Sequence, residues 1–213
     1  MAEFARDNEL VFLDLETTGL DPNDNQIIEI FARKVILNDK NDILDFNDFH
    51  TFVRLNEGQN RDDFNRDLTK ITDEMLEGGM NEQEAIHMLC NFIWGARVVA
   101  QYAPFDLGFL DRRAGGGLKF SKFIDTRTMT KMIEPTESAS LSKVCARHGI
   151  NREVEHRAEA DVIDTIKVFQ IMEPQLRERG IDYYNLAASF SDRPLDPAFV
   201  AAYKGIARFI TLD

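Results

Sequence analysis

Only two of the 213 residues are cysteine, Cys90 and Cys145, and they stand apart, without the paired spacing of a zinc site or a disulfide framework. Each reads as a reduced residue packing on a helix face, which fits a cytoplasmic protein. No apolar run approaches the roughly 18 residues of a membrane-spanning helix, so no membrane partner is expected. The opening MAEFARDNEL has neither the basic start nor the apolar stretch of a secretory signal. Internal repeats and low-complexity tracts are absent. Basic residues are few, 25 Lys and Arg against 37 Asp and Glu, for a net charge of −12. That balance argues against loose coating of long polyanions. The deficit is uneven: from Arg112 to Arg157 ten basic residues face five acidic ones, leaving fifteen against thirty-two elsewhere. One stretch is therefore locally basic.

With 44% hydrophobic residues the chain can bury one sizeable core, and its length suits one domain with an appendage. Residues 9–16, ELVFLDLE, read as a buried strand ending at the turn Thr17–Thr18–Gly19. Residues 26–37 and 49–55 read as two further strands, with the Asn/Asp-rich 38–48 as their connection. Asn81 and Glu84 form a candidate capping box for a helix through Phe92, stopped by Gly95. A short strand at 97–101 leads to a helix opened by Pro104 and running to about Arg113. The triple glycine 115–117 breaks it. A strand near 123–125, a helix over 140–148 and a long helix from Ala158 to about Met172 complete the pattern. Pro174 is read as the end of that helix. Strands first, then alternation with helices, imply an α/β fold: a mixed central sheet flanked by helices. The expected division is a domain over 1–173 and a C-terminal appendage over 174–213, whose apolar segment 198–212 has the composition of a helix.

Several acidic residues occupy costly positions. Side chains alternate along a strand, so Phe12, Asp14 and Glu16 share one face and Val11, Leu13 and Leu15 the other. Two neighbouring carboxylates near the end of an apolar strand repel one another unless neutralised, and a hard divalent cation such as Mg²⁺ or Mn²⁺ would do that directly. A strand end emerging into solvent explains the same pair. On the long helix Asp161 falls in the apolar arc with Thr165, Val168 and Met172, while Asp164 and Lys167 fall on the more polar side. Favourable placement at a helix N-terminus accounts equally for Asp161, and better for Asp106. His156 precedes the long helix, where a loop can aim it at the same place; His50, His87 and His148 read as surface or capping residues. As a set, these groups supply ligands for two cations and one base.

Three segments carry a resemblance. VFLDLETTGL at 11–20, VAQYAPFDLGFL at 99–110 and HRAEAD at 156–161 resemble, in order, the three motifs of the DEDDh, or DnaQ-like, exonucleases, a family that includes polymerase proofreading exonucleases and RNase T. LTKITDEML at 68–76 and SLSKVCARHGI at 140–150 match the linking segments, so the likeness covers roughly 8–173. It implies an RNase H-like fold and release of nucleoside monophosphates from a 3′ end of DNA or RNA. It further implies Asp14, Glu16, Asp106 and Asp161 as ligands of two Mg²⁺ or Mn²⁺ ions, His156 as general base, and Thr17, Thr18, Gly19 and Leu20 as contacts to the terminal nucleotide. Two cations can stabilise the attacking and leaving oxygens of an in-line displacement, and a neutral imidazole can take the proton of the attacking water. Implied partners are a strand with a free 3′ end, a DNA polymerase, or a second copy of the chain. The second motif departs from the family's frequent His-Asn: Gln101 and Tyr102 stand there, and Tyr102 offers stacking where an amide would hydrogen-bond. Phe105 can present its ring to a base or pack under its helix. Asp125 reads as structural. A catalytically inactive binding module with the same fold is the alternative, and the filled ligand set speaks against it.

Overall fold

The computed structural model describes residues 9–115, 118–152, 157–191 and 193–212. In chain order the elements are β1 (Glu9–Thr17), β2 (Ile27–Leu37), β3 (Ile43–Phe52), α1 (Asp63–Thr69), α2 (Asp73–Glu77), α3 (Glu82–Phe92), β4 (Arg97–Ala100) and α4 (Ala103–Arg113). They continue with β5 (Lys122–Asp125), α5 (Thr126–Ile133), α6 (Leu141–Arg147), α7 (Ala158–Glu178), β6 (Leu186–Phe190), α8 (Pro197–Tyr203) and β7 (Arg208–Leu212). A five-stranded sheet runs β3-β2-β1-β4-β5. β2 is antiparallel to β1 and β3, whereas β4 runs parallel to β1 and β5. The expected mixed sheet is present.

β1 lies centrally, and its alternation divides the core. Val11, Leu13 and Leu15 pack with Leu89, Ile93, Leu107 and Phe109 of α3 and α4 and the residue following α3. Leu10 and Phe12 pack on the other face with Val162, Phe169 and Met172 of α7. Asp14 and Glu16, in phase with Phe12, therefore belong to the α7 side of the sheet. Asn81 caps α3 by accepting from Gln83 N–H at 2.9 Å, and Gly95 adopts the expected left-handed conformation (φ 70°) just beyond it.

Several boundaries depart from expectation. The connection between the second and third strands is only the turn 38–42, in which Asn38 Oδ1 accepts from the N–H groups of Lys40 and Asp42. β3 begins at Ile43. Its Asp, Asn and exposed positions are those of a sheet edge, and that composition gave it the look of a loop. Pro174 does not end the long helix but lies inside it. A proline there forfeits one helical hydrogen bond, while the continuation buries Leu176 in the α7 core. α1, α2, α5 and β6 were not anticipated; all are eight residues or shorter, too short for periodicity to register.

The segment 198–212 is not one helix. α8 ends at Tyr203, and β7 pairs parallel with β6 in a separate two-stranded sheet. Asp196 caps α8 through Ala198 and Phe199 N–H. Phe199 and Tyr203 insert into the core beside Leu107 and Phe123, so residues after 174 pack onto the main sheet's helices. α7 itself continues past residue 173 to Glu178.

Candidate active site

β1 delivers Asp14 and Glu16 to the edge of a cleft of about 230 Å³, which Asp106, Asp161, Gln101, Tyr102, Phe105, Arg127 and Arg193 also line. Asp14, Glu16 and Asp161 each offer an oxygen such that the three lie within 4.8 Å of one another. Asp106, in the first turn of α4 and 2% exposed, accepts from Leu15 N–H at 3.1 Å, which ties the start of α4 to β1 between the two strand carboxylates. The structure thus gathers four of the five expected catalytic residues. The fifth, His156, lies outside the described residues.

The energetics of this gathering are unfavourable without a counter-charge. Burial, then the charges of Asp106, Glu16, Asp161 and Glu29, push the Asp14 carboxyl well above its ordinary range. Burial, followed by Asp161, Glu29 and Asp106, raises Glu16 to about 8 against a partial offset from Arg157. Burial lifts Asp106 to about 8, although its own and Leu15 N–H groups and Arg193 oppose the rise. Carboxylates forced into one another's company in this way hold protons near neutral pH unless a cation replaces them. Hard oxygen donors converging on one point fit a hard divalent ion.

Basic residues brace the site from behind. Arg152 ion-pairs with Asp161 and, through Nε at 2.9 Å, with Asp164. Asp164 is consequently buried, not on the polar side expected for it; Arg152 and Lys167, at 3.1 Å, make that burial tolerable. Glu29 sits opposite Glu16 in the β1–β2 register and is 0% exposed. Burial would raise its carboxyl, but bonds from His50 (2.8 Å), the Arg157 guanidinium (3.0 Å) and Ala158 N–H hold it below its usual range. Glu29 therefore pins the start of α7 at Arg157 and Ala158. His50 is thus more than the surface residue expected. Sequence reasoning passed over Glu29, although a glutamate within the apolar run IIEIFA carried the same signal as Asp14. Part of the locally basic stretch is spent on these internal pairs.

The turn after β1 is held from within. Thr17 Oγ1 donates to Gly19 C=O at 2.7 Å, Thr18 Oγ1 donates to Asn25 Oδ1 at 3.2 Å, and Thr18 Oγ1 accepts from Gln26 N–H at 3.0 Å. A Cβ at Gly19 would stand 2.5 Å from Asn25 Oδ1, so a larger residue there would displace the Asn25 side chain that Thr18 holds. Leu20, 74% exposed, projects beside the cleft and lines a neighbouring cavity with Phe105 and Pro104. Phe105 both packs on Phe109, with ring centroids 4.9 Å apart, and lines the cleft. Tyr102 is only 6% exposed and has the Arg127 and Arg193 guanidinium groups over its ring at 5.4 and 4.9 Å. The expected stacking surface for a base is therefore largely covered, because the ring is used to hold arginines. Asp125 is structural, as expected: it accepts from Tyr102 N–H, Arg127 N–H and Thr128 Oγ1, fixing Tyr102 in a left-handed conformation (φ 68°) that a non-glycine residue adopts only under constraint.

Comparison with known proteins places this geometry. Residues 11–169 match the family described as Exonuclease. The chain belongs to that exonuclease family. The resemblance of its three motifs to the DEDDh exonucleases accordingly stands, and with it a nuclease that hydrolyses phosphodiester bonds. Among curated relatives, the PolC-type DNA polymerase III of Mycoplasma genitalium is 32% identical over 189 residues, spanning 83% of this chain and 12% of the polymerase. That of Halalkalibacterium halodurans is 34% identical over 184 residues, 84% of this chain and again 12% of the polymerase. The exonuclease thus spans about an eighth of the length of these relatives. The E. coli Exonuclease I complex with a dT13 oligonucleotide superposes with a TM-score of 0.67 at 15% identity, over 81% of this chain and 43% of that one. The nuclease domain of 3′hExo, a DEDDh family member, bound to rAMP, superposes with a TM-score of 0.65 at 17% identity, over 81% and 95%. Both share the RNase H-like fold. No helix among the described residues is long and apolar enough to cross a membrane.

Proposed function

We propose that the chain shortens nucleic acid from a free 3′ end, releasing nucleoside monophosphates, with two Mg²⁺ or Mn²⁺ ions held by Asp14, Glu16, Asp106 and Asp161. The observation that carries this reading is the approach of Asp14, Glu16 and Asp161 to within 4.8 Å in a cleft completed by buried Asp106. Bound divalent ions would neutralise that cluster and stabilise the charge developing on the phosphoryl oxygens. Arg152 and Arg157 hold the carboxylate-bearing elements in place, and Asp106 fixes the β1–α4 junction through Leu15 N–H. His156 serves as the base that accepts the proton of the attacking water. Leu20 and Phe105 flank the entrance, where the last bases of a strand would lie. DNA is favoured as substrate by the similarity to PolC-type polymerases, and association with a polymerase, in the cytoplasm, is the setting that similarity suggests.

The test is a set of 5′-labelled strands, DNA and RNA, single and paired, with free or blocked 3′ ends, in Mg²⁺, Mn²⁺ or EDTA. Stepwise shortening from the free 3′ end, abolished by EDTA, is expected. Cleavage within a 3′-blocked strand, or no cleavage in any metal, would sink the assignment. His156→Ala should lower turnover about 100-fold or more while sparing Mn²⁺ affinity.

A further inference from the structure

We propose that Arg193, contributed by the C-terminal segment beyond the family match at 11–169, grips a backbone phosphate of the bound strand upstream of the scissile bond. The proposal rests on the strand-end reading above and names a substrate-binding residue for it. Arg193 lines two adjoining cavities at once. One is the carboxylate cleft with Asp14, Glu16, Asp106 and Asp161; the other is bounded by Leu20, Pro104, Phe105 and Pro194. Tyr102, Phe105 and Arg193 form the shared wall. A strand whose terminal nucleotide lies at the carboxylates, against Leu20, and whose preceding nucleotides run on along the adjoining cavity must pass this wall.

Arg193 is positioned before any strand arrives. Its guanidinium lies 4.9 Å from the Tyr102 ring centre and 5.4 Å from that of Phe105. The turn bearing it closes through reciprocal backbone bonds between Phe190 and Arg193 at 3.2 and 3.1 Å. The Tyr102 hydroxyl reaches the carbonyls of Arg193 and Pro194, both at 3.2 Å. Tyr102 in turn is fixed by Asp125, and the adjoining strand β6 by the bond from Ala188 N–H to Thr128 Oγ1 at 3.2 Å. A guanidinium stacked on two rings presents its planar N–H edge and suits a phosphate better than a mobile ammonium does. Its charge also opposes the repulsion that a cleft of carboxylates in a molecule of net charge −12 exerts on an incoming polyanion. The substitution of Tyr102 for an amide thereby acquires a reason: the tyrosine holds the C-terminal segment against the cleft.

The experiment measures binding of a 5′-fluorescein oligothymidylate with a free 3′-OH by anisotropy in EDTA, across a salt series, with melting temperatures recorded in parallel. Arg193→Ala should weaken binding about tenfold and reduce the slope of log Kd against log salt by about 0.7, the value for one phosphate contact on a single strand. Arg193→Lys should restore the slope but only part of the affinity. Arg179→Ala, which removes the same charge from an exposed position at the far end of α7, should change neither. In Mg²⁺, Arg193→Ala should raise KM with kcat within about twofold. Unchanged affinity and slope in Arg193→Ala would overturn the proposal. So would a loss that Arg193→Lys reproduces fully together with a lowered melting temperature. A wild-type protein that binds the strand but never shortens it in metal would overturn the exonuclease reading, while the binding series would still decide the role of Arg193.

Discussion

Replacing Glu16 by glutamine should stabilise the metal-free protein at alkaline pH. Glu16 shares its cleft with Asp14, Asp106 and Asp161, and its carboxyl is raised from 4.5 to about 8. A carboxyl raised on folding binds its proton more tightly in the native state than in the unfolded chain. Its penalty is absent below the unfolded value and grows as pH climbs towards the folded one. At about 1.4 kcal/mol per pH unit the full span amounts to roughly 3–5 kcal/mol, of which about half is expected after local relaxation and water entry. For a chain of this size that corresponds to about 4–8 °C in melting temperature. Melts followed by circular dichroism in EDTA at pH 6 and pH 9 provide the assay. Wild type should lose stability between those pH values, and Glu16→Gln should lose clearly less and melt higher at pH 9. Saturating Mg²⁺ should restore the wild type but not the variant. Glu29, whose carboxyl is lowered, loses its contribution only at acidic pH and does not interfere. A Glu16→Gln variant that melts at or below wild type at pH 9 in EDTA would refute the reasoning.

Two further outcomes follow from the same contacts. Asp106→Ala leaves buried Leu15 N–H without its acceptor and should be about 1–3 kcal/mol less stable than Asp106→Asn. Asp106→Asn keeps an accepting oxygen and sheds a carboxyl raised to about 8, so in EDTA at neutral pH it should melt above wild type, with both variants inactive; equal denaturant midpoints for the two would contradict this. Glu29→Gln removes the charge that holds His50, Arg157 and Ala158 N–H. It should lower stability by about 3 kcal/mol at pH 7, and the difference should vanish as acid protonates wild-type Glu29. A difference that grows in acid would argue otherwise.

The site was more legible than the fold around it. Asp14 and Glu16 announced themselves because strand alternation put two charges on a face otherwise built from Leu10 and Phe12. Asp161 and Asp106 each had an ordinary explanation at a helix start, and only tertiary packing brings them together. The counter-charges were hidden for the same reason: Arg152 reaches back from the preceding loop to Asp161 and Asp164, and Arg157 meets Glu29 across 128 positions. The first half of β3 has no strand signature because an edge strand need not look apolar. Pro174 misled because a local rule against helical proline was outweighed by burial of Leu176. The C-terminal residues could not be placed at all, since their partners, Leu107, Phe123 and Tyr102, are 70 to 100 positions away.

The central claim is that the acidic cluster of the cleft is a site for divalent cations. Calorimetric titration of Mn²⁺ at pH 7, run in two buffers of different ionisation enthalpy, tests it without reference to turnover. With Glu16 and Asp106 raised to about 8, metal uptake should expel protons. The expected result is two Mn²⁺ per chain with release of at least one proton, both strongly diminished in Asp14→Asn. Absence of uptake at millimolar Mn²⁺, or uptake that releases no proton and survives Asp14→Asn unchanged, would contradict it.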